Sequence, residues 1–337
     1  MFRRAKLDRR NFLSSTAALT AFAVASRANG KTSAKPSLNG LSVIVDGLDH
    51  PEGIAVRQDG SIIFSDAHAA VSVRKPGGEI VRYGTAVSPC GVAVDRNGNA
   101  IVANMGLLSG KPGILQRVDL ATGKIDVLAS SVEGRPLVAS NNPIATSDGA
   151  IYCSHSSWDG VELIGKVRAD GFVYAVLPSG EVKIVARDIR GANGTCVNKD
   201  ETYLYVCSTA EGRIFRYRRR GDGSLGHKEP YGPKLGKTID DQSIGAIRQL
   251  DKDDRAQLGY CDGIIFDRTG NLWITLPFAN KVVVLTPDLQ LLTAYHDPDG
   301  RVVNMPTNMA WDRFNPNIMY LVSRGSNTIV RALAQGA

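Results

Sequence analysis

An all-β fold is predicted for residues 31–337: a six-bladed β-propeller with four-stranded antiparallel blades around a central channel. Three observations carry that expectation. One strand-turn-strand signature recurs six times, with starts separated by 38, 51, 52, 69 and 46 residues, close to the length of one blade, about 40–50 residues. Glycine is abundant, at 35 of 337 residues, as a turn-rich chain requires. No amphipathic helix of convincing length interrupts the body.

The copies read EGIAVRQDGSIIFSD from Glu52, CGVAVDRNGNAIVAN from Cys90, NNPIATSDGAIYCSH from Asn141, NGTCVNKDETYLYVCS from Asn193, DGIIFDRTGNLWITL from Asp262 and NMAWDRFNPNIMYLVS from Asn308. Each predicts a buried strand, a tight polar turn and a second apolar strand. The ninth residue is Gly60, Gly98, Gly149 or Gly270 in four copies, and Glu201 or Pro316 in the two that carry an inserted residue. Further strands are expected over Gly113–Asp119, Phe172–Leu177, Arg213–Tyr217 and Lys281–Leu285. The run Leu41–Val45 has no blade of its own, so it is expected to join the last blade and close the ring, which removes free sheet edges. Residues Gly221–Leu258 are polar and aperiodic, and are read as a surface insertion placed to cover the pocket. The basic run Arg216, Arg218, Arg219 and Arg220 reads as a solvated blade edge.

Residues 1–30 are predicted to be a twin-arginine-type signal peptide. A basic cluster (Arg3, Arg4, Lys6, Arg9, Arg10) precedes an apolar run from Phe12 to Ala25, and small residues follow. Asp8-Arg9-Arg10-Asn11-Phe12-Leu13 resembles the twin-arginine export signal. The apolar run has 14 residues, short of the about 20 needed to span a bilayer, so no stable membrane span is expected. The expected location is the periplasm or the exterior, reached through the twin-arginine machinery. This segment carries five of the chain's seven net positive charges, so the basic balance gives no support to a nucleic-acid partner. The five cysteines, Cys90, Cys153, Cys196, Cys207 and Cys261, show no CxxC spacing. Buried thiols are expected, with a Cys196–Cys207 disulfide left open.

The apolar positions agree between copies, as packing requires; the first position does not. It reads Glu52, Cys90, Asn141, Asn193, Asp262 and Asn308. Equivalent positions of a propeller form a ring around the channel. Glu52, Asn141, Asn193 and Asp262 would bring two carboxylates and two amide oxygens together. That hard donor set suits calcium, manganese or magnesium rather than a thiolate metal. Asn193-Gly194 and Asp262-Gly263 are equally ordinary turn dipeptides.

These residues resemble the senescence-marker-protein (regucalcin), gluconolactonase and luciferin-regenerating-enzyme group of six-bladed propellers, over roughly residues 40–335. Pro51-Glu52-Gly53 resembles the family's metal-glutamate motif, the segment around Asn193-Gly194 its metal-asparagine motif, and Asp262-Gly263 its metal-aspartate motif. The third blade departs from the pattern: the family has Asn-Asp where this chain has Asn141-Asn142. A one-residue slip would make Asn142 the ligand, although the distance to Gly149 favours Asn141. The resemblance implies one divalent cation, with calcium ahead of zinc, manganese or magnesium.

It also implies a metal-dependent lactonase acting on a sugar or other small lactone. Asp262 would be general base, Asn141 would orient the substrate, and Glu52 and Asn193 would hold the ion. Asn142, His155, Trp158, His68 and Asn104 are candidate substrate-binding residues at the channel mouth. The competing readings are an organophosphate hydrolase, a strictosidine-synthase-like enzyme on the same propeller, and a non-catalytic binding propeller. No Walker loop, GxGxxG or GxSxG motif is present, so nucleotide and serine-hydrolase chemistry lack support.

Overall fold

The computed structural model describes residues 34–158, 169–239 and 243–337. The proposed leader, residues 1–30, lies outside the described residues. Among the described residues no helix is long and apolar enough to cross a membrane.

Six four-stranded antiparallel sheets follow one another along the chain. Blade one runs through Ile54–Val56, Ile62–Phe64, Val71–Arg74 and Ile80–Tyr83. Blade two comprises Pro89–Val94, Ala100–Asn104, Leu115–Val118 and Ile125–Ala129, and blade three Ser140–Ala145, Ile151–His155, Gly171–Val176 and Val182–Ile189. Blade four is Ala192–Val197, Tyr203–Ser208, Arg213–Arg218 and the short Glu229–Pro230; blade five is Ile264–Phe266, Leu272–Leu276, Lys281–Leu285 and Leu291–His296. Blade six contributes Pro306–Trp311, Ile318–Ser323 and Thr328–Gln335. Its outermost strand is Ser37–Val45, paired from Ser37 opposite Gln335 to Val45 opposite Ile329. The expected ring closure by the N-terminal strand is therefore present.

Each copy of the signature supplies the two innermost strands of its blade. The turn between them needs a left-handed residue, which Gly60, Gly98, Gly149 and Gly270 provide at φ from +81° to +90°. In blade four Glu201 takes that conformation at +53°. Its carboxylate accepts the Ser147 N–H at 3.0 Å, and its carbonyl accepts Arg219 Nη1 at 2.7 Å. Arg219 also reaches Asp148 at 2.7 Å, and its side chain is only 7% exposed. The basic run is thus not simply a solvated edge: Arg219 clamps blades three and four, and Arg216 lies over the Tyr203 ring.

Apolar side chains of the middle strands fill the wedges between blades. One cluster occupies each of the six junctions, for example Ile63, Val73, Val92, Val102 and Val118 between blades one and two. Trp273, fully buried between blades five and six, packs edge-on against Trp311 and donates its indole N–H to Asp267. All five cysteines are free and buried. Cys196 stands opposite Tyr205 and Cys207 opposite Ile214, and the Cys196–Cys207 bridge left open by the sequence is absent.

The insertion is more ordered than its composition suggests. It supplies the outermost strand of blade four, then two short helices, Ile244–Gln249 and Lys252–Arg255, capped by Ser243 and Asp251. Ile247, Leu258 and Tyr260 form a small core of their own. Tyr260 donates no apolar contact alone: its hydroxyl accepts the Ile239 N–H at 2.9 Å, and its ring meets Phe278 of blade five edge-on. The segment packs beside blades four and five and leads directly into Asp262.

Candidate active site at the signature's first position

The start of the innermost strand is irregular in blades two, three, four and six. The pairing slips between Pro89 and Val92, Ser140 and Pro143, Ala192 and Thr195, and Pro306 and Met309. Bulges of this kind re-aim side chains; in blades two, three and four they fall on positions one and two of the signature, and in blade six on Thr307 and Asn308, one residue earlier. Position two then explains why the ring is tight. A Cβ on Gly53 would meet the Cys90 carbonyl at 2.6 Å, one on Gly91 the Asn141 carbonyl at 2.3 Å, and one on Gly194 the Asp262 carbonyl at 2.1 Å. A Cβ on Gly263 would meet the Thr307 carbonyl at 2.5 Å.

Hydrogen bonds complete the circuit. Gly194 N–H donates to the Asp262 carbonyl, Gly263 N–H to the Thr307 carbonyl, and the Thr307 hydroxyl to the Glu52 carbonyl. Hydroxyls on the neighbouring strand hold the bulges from behind. Ser65 accepts the N–H groups of Glu52 and Gly53, Ser154 that of Asn142, and Thr275 that of Gly263.

All six blades contribute to one polar cluster. The Glu52 carboxylate, 13% exposed, lies 2.8 Å from Arg324 Nη1. The pair is not aligned as a hydrogen bond, and Glu52 Oε2 accepts none. Asn193 contacts the Asp262 carboxylate through its side chain, while its own Oδ1 is buried without a partner. Cys90 donates its thiol to Asn141 Oδ1 at 3.7 Å, and the Asn141 amide donates to the Ser156 hydroxyl at 2.9 Å.

Burial, then the charge of Glu52, pushes the Asp262 carboxyl well above its ordinary value. Burial also raises Glu52, against the opposing pull of Arg324. Cys90 is raised well above the usual thiol range by burial and by both carboxylates, so it stays protonated. The four residues expected to hold an ion are therefore gathered, and Cys90 and Arg324 stand among them. Two buried oxygens that accept no hydrogen bond, Asn193 Oδ1 and the Arg324-paired Glu52 Oε2, and an all-oxygen donor set fit a hard divalent cation. Among the described residues no three His, Cys, Asp or Glu side chains converge; amides complete the set.

The other expected residues lie elsewhere. Asn142 turns away from the cluster: its Oδ1 accepts the Thr195 N–H at 3.2 Å, where blades one, two, four and five use a glycine contact. Asn104 is fully engaged, accepting from the Ser88 N–H and donating to Ile114 and Gln116. His155 is buried completely. Its Nε2 accepts the N–H groups of Val138 and Ala139 at 3.2 and 3.1 Å, and its ring stacks on Phe172. Burial lowers its pKa to about 3, so it is a neutral structural pillar. Trp158 packs beside it beneath the Arg135 guanidinium. His68, nearly half exposed, pairs with the buried Asp66 at 2.6 Å. Asn308 folds its Oδ1 back on the Met309 N–H. Behind the polar cluster the channel continues as a cavity of about 260 Å³ lined mainly by Ile54, Val92, Ile144, Ile264, Met309 and Trp311.

Arg324 is the residue that sequence reasoning missed. The signal was available. His68, Asn104 and His155 drew notice because they end or follow second strands, and Arg324 follows the second strand of blade six in the same way.

Comparison with known proteins agrees with this architecture. Strictosidine synthase-like protein 6 of Arabidopsis thaliana is 28% identical over 242 residues, which cover 68% of this chain and 57% of the relative. The chain thus spans little more than half the length of that relative. A gluconolactonase of Zymomonas mobilis is 23% identical over 276 residues, covering 75% of this chain and 71% of the enzyme. The structure of a calcium-binding regucalcin from Agrobacterium tumefaciens superposes with a TM-score of 0.65 at 15% identity, over 89% of this chain and 96% of the other. The profile of the SMP-30/gluconolactonase/LRE-like region matches residues 50–324, a span that runs from just before Glu52 to Arg324. By that match, and with its six blades, the chain belongs to the SMP-30/gluconolactonase/LRE-like family.

Proposed function

We propose that the protein is a divalent-cation-dependent hydrolase that opens a small lactone, as a gluconolactonase does. The observation that carries this reading is the convergence of Glu52, Asn141, Asn193 and Asp262 from four blades, with two buried oxygens left without hydrogen bonds. Glu52, Asn193 and Asp262 would hold the cation, with Asn141 beside them. A cation bound there supplies Lewis-acid polarisation of an ester carbonyl.

The remaining work falls to the chain. Asp262, through an oxygen free of the cation, would take a proton from the attacking water. Asn141, held by Ser156, orients the lactone. The glycine contacts at position two fix these groups on backbone rather than on mobile loops. The strictosidine synthase-like relative favours a second reading, an enzyme of that kind on the same ring.

A panel of sugar lactones and one organophosphate triester, assayed with and without chelator, tests the proposal. Hydrolysis of a lactone that is lost on chelation and restored by calcium, manganese, magnesium or zinc is expected. Lactone hydrolysis indifferent to exhaustive chelation would overturn the metal mechanism, and turnover of the triester alone would overturn the substrate class.

We also propose that residues 1–30 direct the folded protein through the twin-arginine route to the periplasm or the exterior. The Arg9-Arg10 pair supports this. Replacing both by lysine should leave the protein in the cytoplasmic fraction; unchanged export would refute it.

A further inference from the structure

Blade four leaves the flank of blade five short of cover. Its outermost strand, Glu229–Pro230, has 2 residues, against 6 in Leu291–His296 of blade five. The insertion fills the gap in two passes. Residues 234–237 and 256–259 lie side by side: the Lys237 N–H donates to the Gln257 carbonyl at 2.7 Å, and the Gly259 N–H to the Lys237 carbonyl at 2.9 Å. The Leu235 N–H ties the first pass to the Gly212 carbonyl of blade four. Lys281 of blade five holds the second by donating its ammonium to the Ala256 carbonyl.

The cover is incomplete. A cavity of about 480 Å³ remains between the insertion and blade five, within the range of small-molecule pockets, about 300–1,000 Å³. Leu235, Leu258, Leu276, Val283 and Leu291 form an apolar wall, and the only charged side chains lining the space are Lys234, Lys237 and Lys281. Among the described residues none of these three pairs with a carboxylate. Lys234 donates to the Thr238 hydroxyl at 2.7 Å and Lys281 to backbone, while Lys237 is exposed and forms no ion pair. Burial lowers the pKa of Lys281, so its charge is short of solvent and gains from a bound anion.

Three positive charges beside an apolar wall match an anion with an apolar body. Lysine offers point charges rather than the planar fork that fits a carboxylate. Three separate ammonium groups suit the three acceptor oxygens and nearly double charge of a phosphate. We propose that this cavity binds an organic phosphate monoester, with its phosphate held by Lys234, Lys237 and Lys281 and its apolar body against the leucine wall. The site shares no residue with the polar cluster and does not rest on the lactonase reading.

Calorimetric titration of the full chain at about 0.15 M salt with hexyl phosphate, inorganic phosphate, hexanoate and hexanol tests the proposal. Hexyl phosphate should bind about tenfold or more tightly than each of the other three. Lys237→Glu should weaken that binding by about tenfold or more, and Lys237→Arg should retain most of it. Lys252→Glu makes the same change of charge on the neighbouring short helix, outside the cavity. It should alter the affinity by about twofold at most, because salt screens distant exposed charges. Thermal unfolding confirms that the variants are folded. No binding of hexyl phosphate, or an unchanged affinity in folded Lys237→Glu, would overturn the site. Equal losses in Lys237→Glu and Lys252→Glu would reduce it to the overall charge of that face. Hexanoate binding as tightly as hexyl phosphate would overturn the phosphate assignment, and inorganic phosphate binding as tightly would overturn the role of the wall.

Discussion

Blades three and five carry the same signature and use its first two positions in opposite ways. In blade five, Asp262 and Gly263 give a backbone contact to blade six and leave a carboxylate raised by burial. In blade three, Asn141 and Asn142 are both engaged: Asn141 between Cys90 and Ser156, Asn142 on Thr195. The last residue of the second strand differs as well. In blade three it is His155, a buried acceptor for two backbone N–H groups; in blade five it is the apolar Leu276. Asn142 and His155 therefore read as support, and Asn141 is the blade-three side chain that stands at the polar cluster. Blade five reads as reactive, because burial and the charge of Glu52 raise its carboxyl within the polar cluster. Residue type alone does not separate the two roles.

The largest test of that contrast is Asp262→Asn. It should lower kcat for lactone hydrolysis by about 10²–10⁴, the range for loss of a general base. In the cation-free protein it should raise Tm, because a carboxylate that burial disfavours is replaced by a neutral amide. A variant that loses stability together with activity would mean that Asp262 is structural.

Next is Gly194→Ala. Its Cβ would stand 2.1 Å from the Asp262 carbonyl oxygen, so blade four must move away from blade five. A loss of about 3 kcal/mol in urea unfolding is expected, the upper end for overpacking. A loss near zero would show that the ring tolerates being opened.

His155 tests the supporting role through acid. Its pKa is lowered from 6.5 to about 3, by burial first and by Arg135 second. Protonation therefore favours the unfolded chain. The stability that the neutral ring confers is complete above about 6.5 and is lost as pH falls towards 3. His155→Gln keeps an acceptor and removes the titration. The wild-type minus variant stability should fall by on the order of a few kcal/mol across that window. Parallel curves would place His155 outside the acid response.

The smallest effect separates the two asparagines of blade three. Asn142→Ala should cost about 1–3 kcal/mol of stability by stranding the Thr195 N–H, with kcat/KM nearly unchanged. Asn141→Ala should lower kcat/KM as well, while also costing about 1 kcal/mol of stability through the lost Ser156 hydrogen bond. If activity followed Asn142, the one-residue slip in the third blade would be real and the contrast between blades three and five would narrow.

The ring was legible in the sequence because packing repeats. The six apolar patterns, the turn glycines and the homeless strand near Leu41 each follow from a period that six blades must share. Glu52, Asn193 and Asp262 stood out because they break agreement at one position. What stayed hidden is direction. Asn142 and Asn104 look as available as Asn193 until their partners are known, and those partners come from other strands or the neighbouring blade. His155 had the chemistry of a catalytic residue and the surroundings of a core one. Arg324 lay outside the repeated pattern, after its blade's second strand, and only the geometry joins it to Glu52 across 272 residues of sequence. The insertion was misjudged because two short capped helices leave too few turns for a period to register.

The strand Ser37–Val45 precedes all the blade-one strands in the chain, yet its partner is Thr328–Gln335, which follows all the others. Five blades can pair locally as they emerge; the sixth lacks its outer edge until both ends of the chain are in reach of each other. Closing a loop of nearly the whole chain is a late and slow event. The nascent protein therefore passes through an open-ended arc with an exposed edge at Thr328–Gln335 and a waiting strand at its start. Completion of the circle is a single molecular event that a quality check on the finished fold can sense.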